Sequence, residues 1–319
     1  MSLVRTLPCG RVPLKKASME VVHRIAGIIL PVFMIIAAGY LYTRVRGDKV
    51  KAEMAQVNRI SSEMLCPLLL FSALASKDFD AVANLPLLMA GVLIALGSGL
   101  IAWPIARLFG FDLRTFVPPM LYNNCGNMGL PLAVLAFGPK GLSEAVAMFM
   151  ACSLAYFTAG IALMESGKGH HSAAGTRMFM NPMMLAMAAG MGFAVLHISL
   201  PDIVMTALRM LGEASIPLML LALGVRMTDV EFGSWRIGVV GAAVCPLAGL
   251  AVAMLIDPFL GLSAGQRGQM FLFASLPPSV FSFMVAETYR QEPDKVAAIV
   301  LLGNLAALGF VPLGLWLGM

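Results

Sequence analysis

Charge is what this sequence has least of. Asp, Glu, Lys and Arg make up 12% of its residues, about half the share of an ordinary soluble domain, while 59% are hydrophobic. Such a chain cannot cover a water-facing surface with charge, and its mean hydropathy of +0.86 points to the bilayer as its solvent. Chemistry-bearing motifs are scarce as well. The five cysteines (Cys9, Cys66, Cys125, Cys152 and Cys245) share no C-x-x-C spacing, and four lie in apolar stretches as small buried hydrophobes. His23, His170, His171 and His197 have no second ligand at helical or hairpin spacing, so a metal centre is not expected. The sequence has no phosphate-binding glycine loop, no G-x-S-x-G elbow and no nucleophile with a base, so neither an enzyme nor a cofactor is expected. The net charge of +5 comes without a basic run interleaved with aromatics, so it reads through loop placement and no nucleic-acid partner is expected.

What is abundant is long apolar runs. Runs of roughly 18 to 25 residues predict ten transmembrane helices, at 22–43, 57–76, 84–108, 115–137, 142–164, 178–197, 202–225, 235–256, 265–288 and 294–318. The second five echo the first. Pro31-Val-Phe-Met-Ile-Ile-Ala-Ala-Gly39 returns as Pro182-Met-Met-Leu-Ala-Met-Ala-Ala-Gly190. Arg59, Glu63 and Pro67 return as Arg209, Glu213 and Pro217, and Gly129-Leu-Pro131 returns as Ser275-Leu-Pro277. The offsets of 151, 150 and 146 residues keep the landmarks in order, as in a duplicated transporter half. An odd number of spans per copy turns the second copy over in the membrane. The expectation is an all-α membrane protein of two inverted five-helix repeats, 19–164 and 178–319, joined by a polar linker at 165–177 and preceded by an extension at 1–18.

Lys and Arg placement sets the orientation. The loops after odd-numbered spans hold thirteen of these residues against eight on the opposite face, which places the linker in the cytoplasm and both termini outside. The basic N-terminus resists translocation. Met19-Glu-Val-Val-His-Arg would be a normal short lead into span 1, so both Met1 and Met19 stand as candidate starts.

Spans 4 and 9 hold equivalent places in the two copies, and both read as broken. Tyr122-Asn-Asn-Cys-Gly-Asn-Met-Gly-Leu-Pro131 puts three amides, two glycines and a proline into an apolar run. Pro131 cannot donate to the helical ladder, while Gly126 and Gly129 relax the backbone beside it. Ser275-Leu-Pro-Pro-Ser-Val-Phe-Ser282 interrupts span 9 with Pro277, Pro278 and three hydroxyls. Lipid cannot satisfy backbone groups freed by such breaks, so they face protein or a watery cavity, and a half-helix N-terminus there suits a carboxylate. The two breaks are expected to cross at the centre. Asn123, Asn124, Asn127, Ser279, Ser282 and Asn304 are the candidate substrate-binding residues.

The chain resembles the auxin efflux carrier family of membrane transporters over nearly its whole length. The resemblance is carried by Leu30–Tyr40, Asn124-Cys-Gly-Asn-Met-Gly-Leu-Pro-Leu132, Ala214–Gly224 and Leu276–Tyr289 leading into Pro293-Asp294. It implies a mobile transport unit of spans 3 to 5 and 8 to 10 against a scaffold of spans 1, 2, 6 and 7. The family's asparagine ahead of the crossing falls on Asn124 and its crossing proline on Pro131. Ser282 stands where plant members have a proline, which leaves the second break at Pro277 and Pro278 or around Ser279 to Ser282. The long cytosolic loop of plant members is absent, so their regulation does not transfer. Bacterial members of the family are associated with malate, malonate and related carboxylates.

Arg59 with Glu63 and Arg209 with Glu213 stand at i, i+4, where each pair can neutralise itself as an interfacial anchor. The alternative makes Glu63 or Glu213 a cation-coupling carboxylate, since ionisable groups within the membrane mark function. Sodium and the proton are both open as the coupling ion. The expectation is therefore an inner-membrane secondary transporter moving a small organic anion by alternating access, set in the lipid bilayer, with a homodimer plausible. Its rivals are a sodium-coupled transporter of the bile-acid symporter architecture, a non-transporting membrane sensor, and a channel.

Overall fold

Prolines, glycines and short polar caps divide the apolar chain into helices. A computed structural model describes residues 14–47, 49–77, 79–166, 180–228 and 234–318. The predicted linker falls outside the described residues from 167 on, as do residues 1–13 of the predicted extension, whose remainder is continuous with the first helix. Among the described residues the molecule is helical throughout, without a β-strand.

The helices are α1 (Leu14–Arg46), α2 (Lys49–Ile60), α3 (Cys66–Leu74), α4 (Leu85–Phe109), α5 (Leu113–Leu121), α6 (Leu130–Ala155), α7 (Ile161–Glu165), α8 (Pro182–Val195), α9 (Asp202–Glu213), α10 (Ser215–Arg226), α11 (Trp235–Leu260), α12 (Ala264–Ala274), α13 (Val280–Tyr289) and α14 (Pro293–Gly318). Wide π-helical turns at Ser61–Leu65, Cys125–Gly129 and Tyr156–Gly160 lead into α3, α6 and α7. Local chemistry sets several ends. Asp112 and Asn181 cap α5 and α8 by accepting from Arg114 N–H (2.7 Å) and Met183 N–H (3.0 Å). Gly110 and Gly261 end α4 and α11 in the left-handed region, where a side chain would be strained. Gly138 (φ 73°, ψ −172°) breaks α6 into two helices that meet in a tight corner.

Six helical stretches among the described residues are long and apolar enough to cross a membrane: Ile25–Arg46, Leu85–Phe109, Gly141–Glu165, Asp202–Arg226, Trp235–Leu260 and Pro293–Gly318. At 115–137, 178–197 and 265–288 the helices are shorter, while 57–76 lies in helix that runs unbroken from Lys49 to Leu74 but carries Arg59 and Glu63. The sequence reading treated each apolar run as one element, whereas the proline pairs Pro118-Pro119 and Pro277-Pro278 precede or hold the breaks that cut 115–137 and 265–288 into half-helices.

Packing is exchanged between the two halves of the chain. Helix α1 lies on α10, and α8 lies on α3. Glycines make these contacts close. A Cβ built on Gly39 would lie 2.3 Å from the Leu221 carbonyl oxygen, and one on Gly224 only 2.0 Å from that of Ile36. Gly190 and Gly212 do the same against the backbone of Phe71 (3.1 Å) and Leu69 (2.6 Å). Helices α4 and α11 pack on each other, and they cover α6 and α14 respectively.

Candidate functional site

Pro118 and Pro119 remove two donors from α5, and the chain leaves helical geometry at Tyr122 (φ −133°, ψ 94°). In the second half of the chain α12 ends at Ala274, and Pro277-Pro278 holds the chain extended before α13 begins. The two extended segments meet. Asn124 N–H donates to the Pro277 carbonyl (2.6 Å) and Ser279 N–H to the Tyr122 carbonyl (2.9 Å), forming an antiparallel bridge between Asn123 and Pro278. Each break thus satisfies backbone groups of the other, where lipid could not.

The second break coincides with Pro277 and Pro278, and Ser279 caps the half-helix beyond it by accepting from Phe281 N–H (3.2 Å). The first break is displaced from the sequence reading. It lies at Tyr122–Asn124, and the chain is helical again through Gly126, Gly129 and Pro131. The π turn at Cys125–Gly129 widens the helix just before Pro131, which relieves the clash its ring would make in an ordinary α-turn. Gly129 serves close approach, since a Cβ there would sit 2.9 Å from Leu276 Cδ1 on the other broken segment. Gly303 of α14 likewise makes room for the Pro278 ring, 2.6 Å from a built Cβ.

Three of the four candidate amides enter a buried hydrogen-bond set. Asn304 Nδ2 donates to the Val300 carbonyl (2.7 Å), and Asn124 Nδ2 donates to Asn304 Oδ1 (2.9 Å). Asn123 Nδ2 donates to the Phe273 carbonyl, tying its side chain to α12. Asn124 and Asn304 are 1% and 2% exposed. Asn127 is half-buried in the π turn, and Ser282 is buried near the start of α13. Behind the crossing Tyr122 stacks on Tyr156 (4.8 Å between centroids) and bonds Ser153 Oγ (3.1 Å), which stiffens the break.

A cavity of about 690 Å³ reaches this set at Asn304. One wall comes from α2 and α10, with Lys51, Asn58 and Arg226; the other comes from α13 and α14, with Glu287, Asp294 and Asn304. The sequence reading missed these cavity charges and Asn58, although Lys51, Met54, Ala55 and Asn58 follow an i, i+3, i+4, i+7 stripe that marks one helix face. At the outer ends of the broken helices Thr115 Oγ1 donates to Glu292 Oε2 (2.6 Å). Burial pushes the Glu292 carboxyl up, but hydrogen bonds from Lys295 and Thr115 and the Lys295 charge outweigh it and hold the group below its ordinary range.

Glu63 and Glu213 are not part of this arrangement. Glu63 is exposed and paired with Arg59 at 3.0 Å, their side chains being 57% and 77% exposed. Glu213 is exposed too, and among the described residues no ion pair joins it to Arg209. Exposed pairs of this kind contribute about 0–1 kcal/mol. Replacing both carboxylates, Glu63→Gln and Glu213→Gln, is expected to leave initial transport rates within about twofold of the parent protein. A loss of ion-dependent transport in either variant would restore the coupling role.

The profile of a protein family described as membrane transport protein matches residues 25–316. An uncharacterised transporter of Methanothermobacter thermautotrophicus is 25% identical over 295 residues, which cover 89% of this chain and 95% of the relative. A candidate malonate transporter of Rhizobium meliloti is 24% identical over 310 residues, covering 90% and 93%. An uncharacterised transporter of Methanocaldococcus jannaschii is 21% identical over 306 residues, covering 91% and 97%.

Proposed function

Because the chain belongs to the membrane transport protein family and is a multi-pass membrane protein, we propose that it is a secondary transporter of small organic anions, with its site where the two broken helices cross. The observation that carries this reading is the bridge between Tyr122–Asn124 and Pro277–Ser279, set beside a buried asparagine pair that a cavity reaches at Asn304. Helix first-turn N–H groups have no partner within the helix. The first-turn N–H groups of Gly126 and Asn127, with the Asn127 side chain and beside the Asn124 amide, supply an uncharged carboxylate site at the positive end of the half-helix dipole. Ser279 and Ser282 complete it from the other copy. Neutral donors suit a carrier, since an anion held by a buried Arg would leave slowly.

The two copies are read as inverted five-helix repeats. The exchange of α1 and α8 partners, with its paired glycines, supports a two-fold relation between them. The cavity lies on the seam between α2 and α10 on one side and α13 and α14 on the other. In this reading α1–α3 and α8–α10 stay fixed while the remaining helices move, which closes this cavity and opens one on the opposite face. Lys51 and Arg226 stand near the mouth, on the face richer in Lys and Arg, which makes this the cytoplasmic opening of an inner-membrane protein.

The relative described as a candidate malonate transporter turns the substrate class toward short mono- and dicarboxylates. Purified protein in liposomes, given labelled malonate, malate, succinate and lactate in turn, is expected to take up at least one saturably. Uptake confined to cations or neutral solutes would overturn the reading.

A further inference from the structure

The amide chain at the crossing has a direction, and the direction says what kind of group it awaits. The Val300 carbonyl can only accept, so the Asn304 atom beside it is the NH2 group. Asn304 therefore turns Oδ1 toward Asn124, which must answer with Nδ2. One fixed carbonyl thus sets both amides, and Asn124 Oδ1 is left as a buried acceptor without a hydrogen-bond partner, in a residue only 1% exposed. Orphaned acceptors at such depth are rare and costly. Its bonded neighbour Asn304 lines the cavity, so the Asn124 amide lies one side chain in from that space.

Resting on the carboxylate-transport reading above, we infer that the carried species is a monoanion with its own hydrogen-bond donor, either an undissociated carboxyl or a hydroxyl next to the carboxylate. The carboxylate meets the first-turn N–H groups of Gly126 and Asn127, and the donor meets Asn124 Oδ1. A fully ionised dicarboxylate without a hydroxyl, such as malonate or succinate, presents only acceptors to an acceptor and is refused. Such a dicarboxylate therefore crosses as its hydrogen form, taking one proton from the water on the side of entry and releasing it on the other. The proton rides on the substrate, so no protein carboxylate need carry it.

The test uses the full-length protein in liposomes and a matched trio on three- and four-carbon skeletons: the dicarboxylate, its monoamide and its monomethyl ester. The amide keeps one carboxylate and a permanent N–H donor, while the ester keeps the carboxylate and has none. The amide is expected to be carried at a rate independent of pH from about 5 to about 8. Dicarboxylate flux should fall about tenfold per pH unit above the second pKa of the free acid, following the hydrogen form. The ester should be carried roughly ten- to hundredfold more slowly than the amide, the usual worth of one buried hydrogen bond. Asn304→Leu removes the group that fixes the Asn124 amide, lets that amide turn over, and should narrow the difference between amide and ester. Equal transport of amide and ester by the parent protein, or dicarboxylate flux indifferent to pH, overturns this inference and leaves the transport reading standing. Failure to carry any of the carboxylates sinks both.

Discussion

Replacing Asn124 by alanine is expected to reduce carboxylate uptake to background while leaving the amount of folded, inserted protein nearly unchanged. The two halves of that expectation have separate reasons. Uptake is lost because Asn124 contributes the amide linked to Asn304, at the place where the cavity meets the broken helices. Stability is kept because the substitution exchanges one orphan for another. It removes the unpartnered Asn124 Oδ1 and frees Asn304 Oδ1, each about 1–3 kcal/mol, and these largely cancel. The backbone bond from Asn124 to Pro277 does not involve the side chain and survives. Detergent-solubilised yield, thermal unfolding and initial uptake rate, measured on the same preparation, check both halves. A variant that transports normally would place the site elsewhere, and one that fails to fold would make Asn124 a structural residue.

Gly224→Ala should have the largest effect on stability. The added Cβ would sit 2.0 Å from the Ile36 carbonyl oxygen and 2.9 Å from the Tyr40 nitrogen, so it meets backbone and not a side chain that could turn aside. Helices α1 and α10 must separate, at about 1–3 kcal/mol or more for an overpacked core position. Gly39→Ala meets the Leu221 carbonyl oxygen at 2.3 Å in the reciprocal contact and should cost a similar amount. The double variant should cost less than the sum, since separation forced by one substitution makes room for the other. Gly27→Ala and Gly192→Ala, with nothing within 4 Å of a built Cβ, serve as controls expected to leave the unfolding temperature alone. Full additivity of the pair would mean that the two glycines do not share one contact.

Much of this was legible in the sequence because proline and glycine act locally. Pro277-Pro278 announces the second break, and the 151-residue echo of Pro31 and Gly39 as Pro182 and Gly190 marks the two helices that exchange partners. The first break was misplaced because Pro131 looks like an interruption in a one-dimensional pattern, whereas a π turn absorbs it. What stops α5 is instead the earlier pair Pro118-Pro119 and the pairing of Tyr122–Asn124 with residues about 155 positions away, and only the second is invisible in the sequence. Asn304 could be named as a polar residue in an apolar helix, but its bond to Asn124 depends on how α14 packs. Lys51 and Arg226 were read as loop charges because orientation rules count them, and their helix faces place them on the cavity.

In the proposed mechanism one site at the crossing is exposed alternately to the two faces of the membrane, a behaviour that trans-stimulation reads out. Liposomes holding the purified protein are loaded with unlabelled malonate or buffer, and entry of labelled malonate is followed at matched pH. Faster, saturable entry into the loaded vesicles is expected, because the carrier returns occupied, with no such difference for Asn124→Ala. Entry that rises linearly with concentration and ignores the contents of the vesicle would contradict that mechanism and describe a channel.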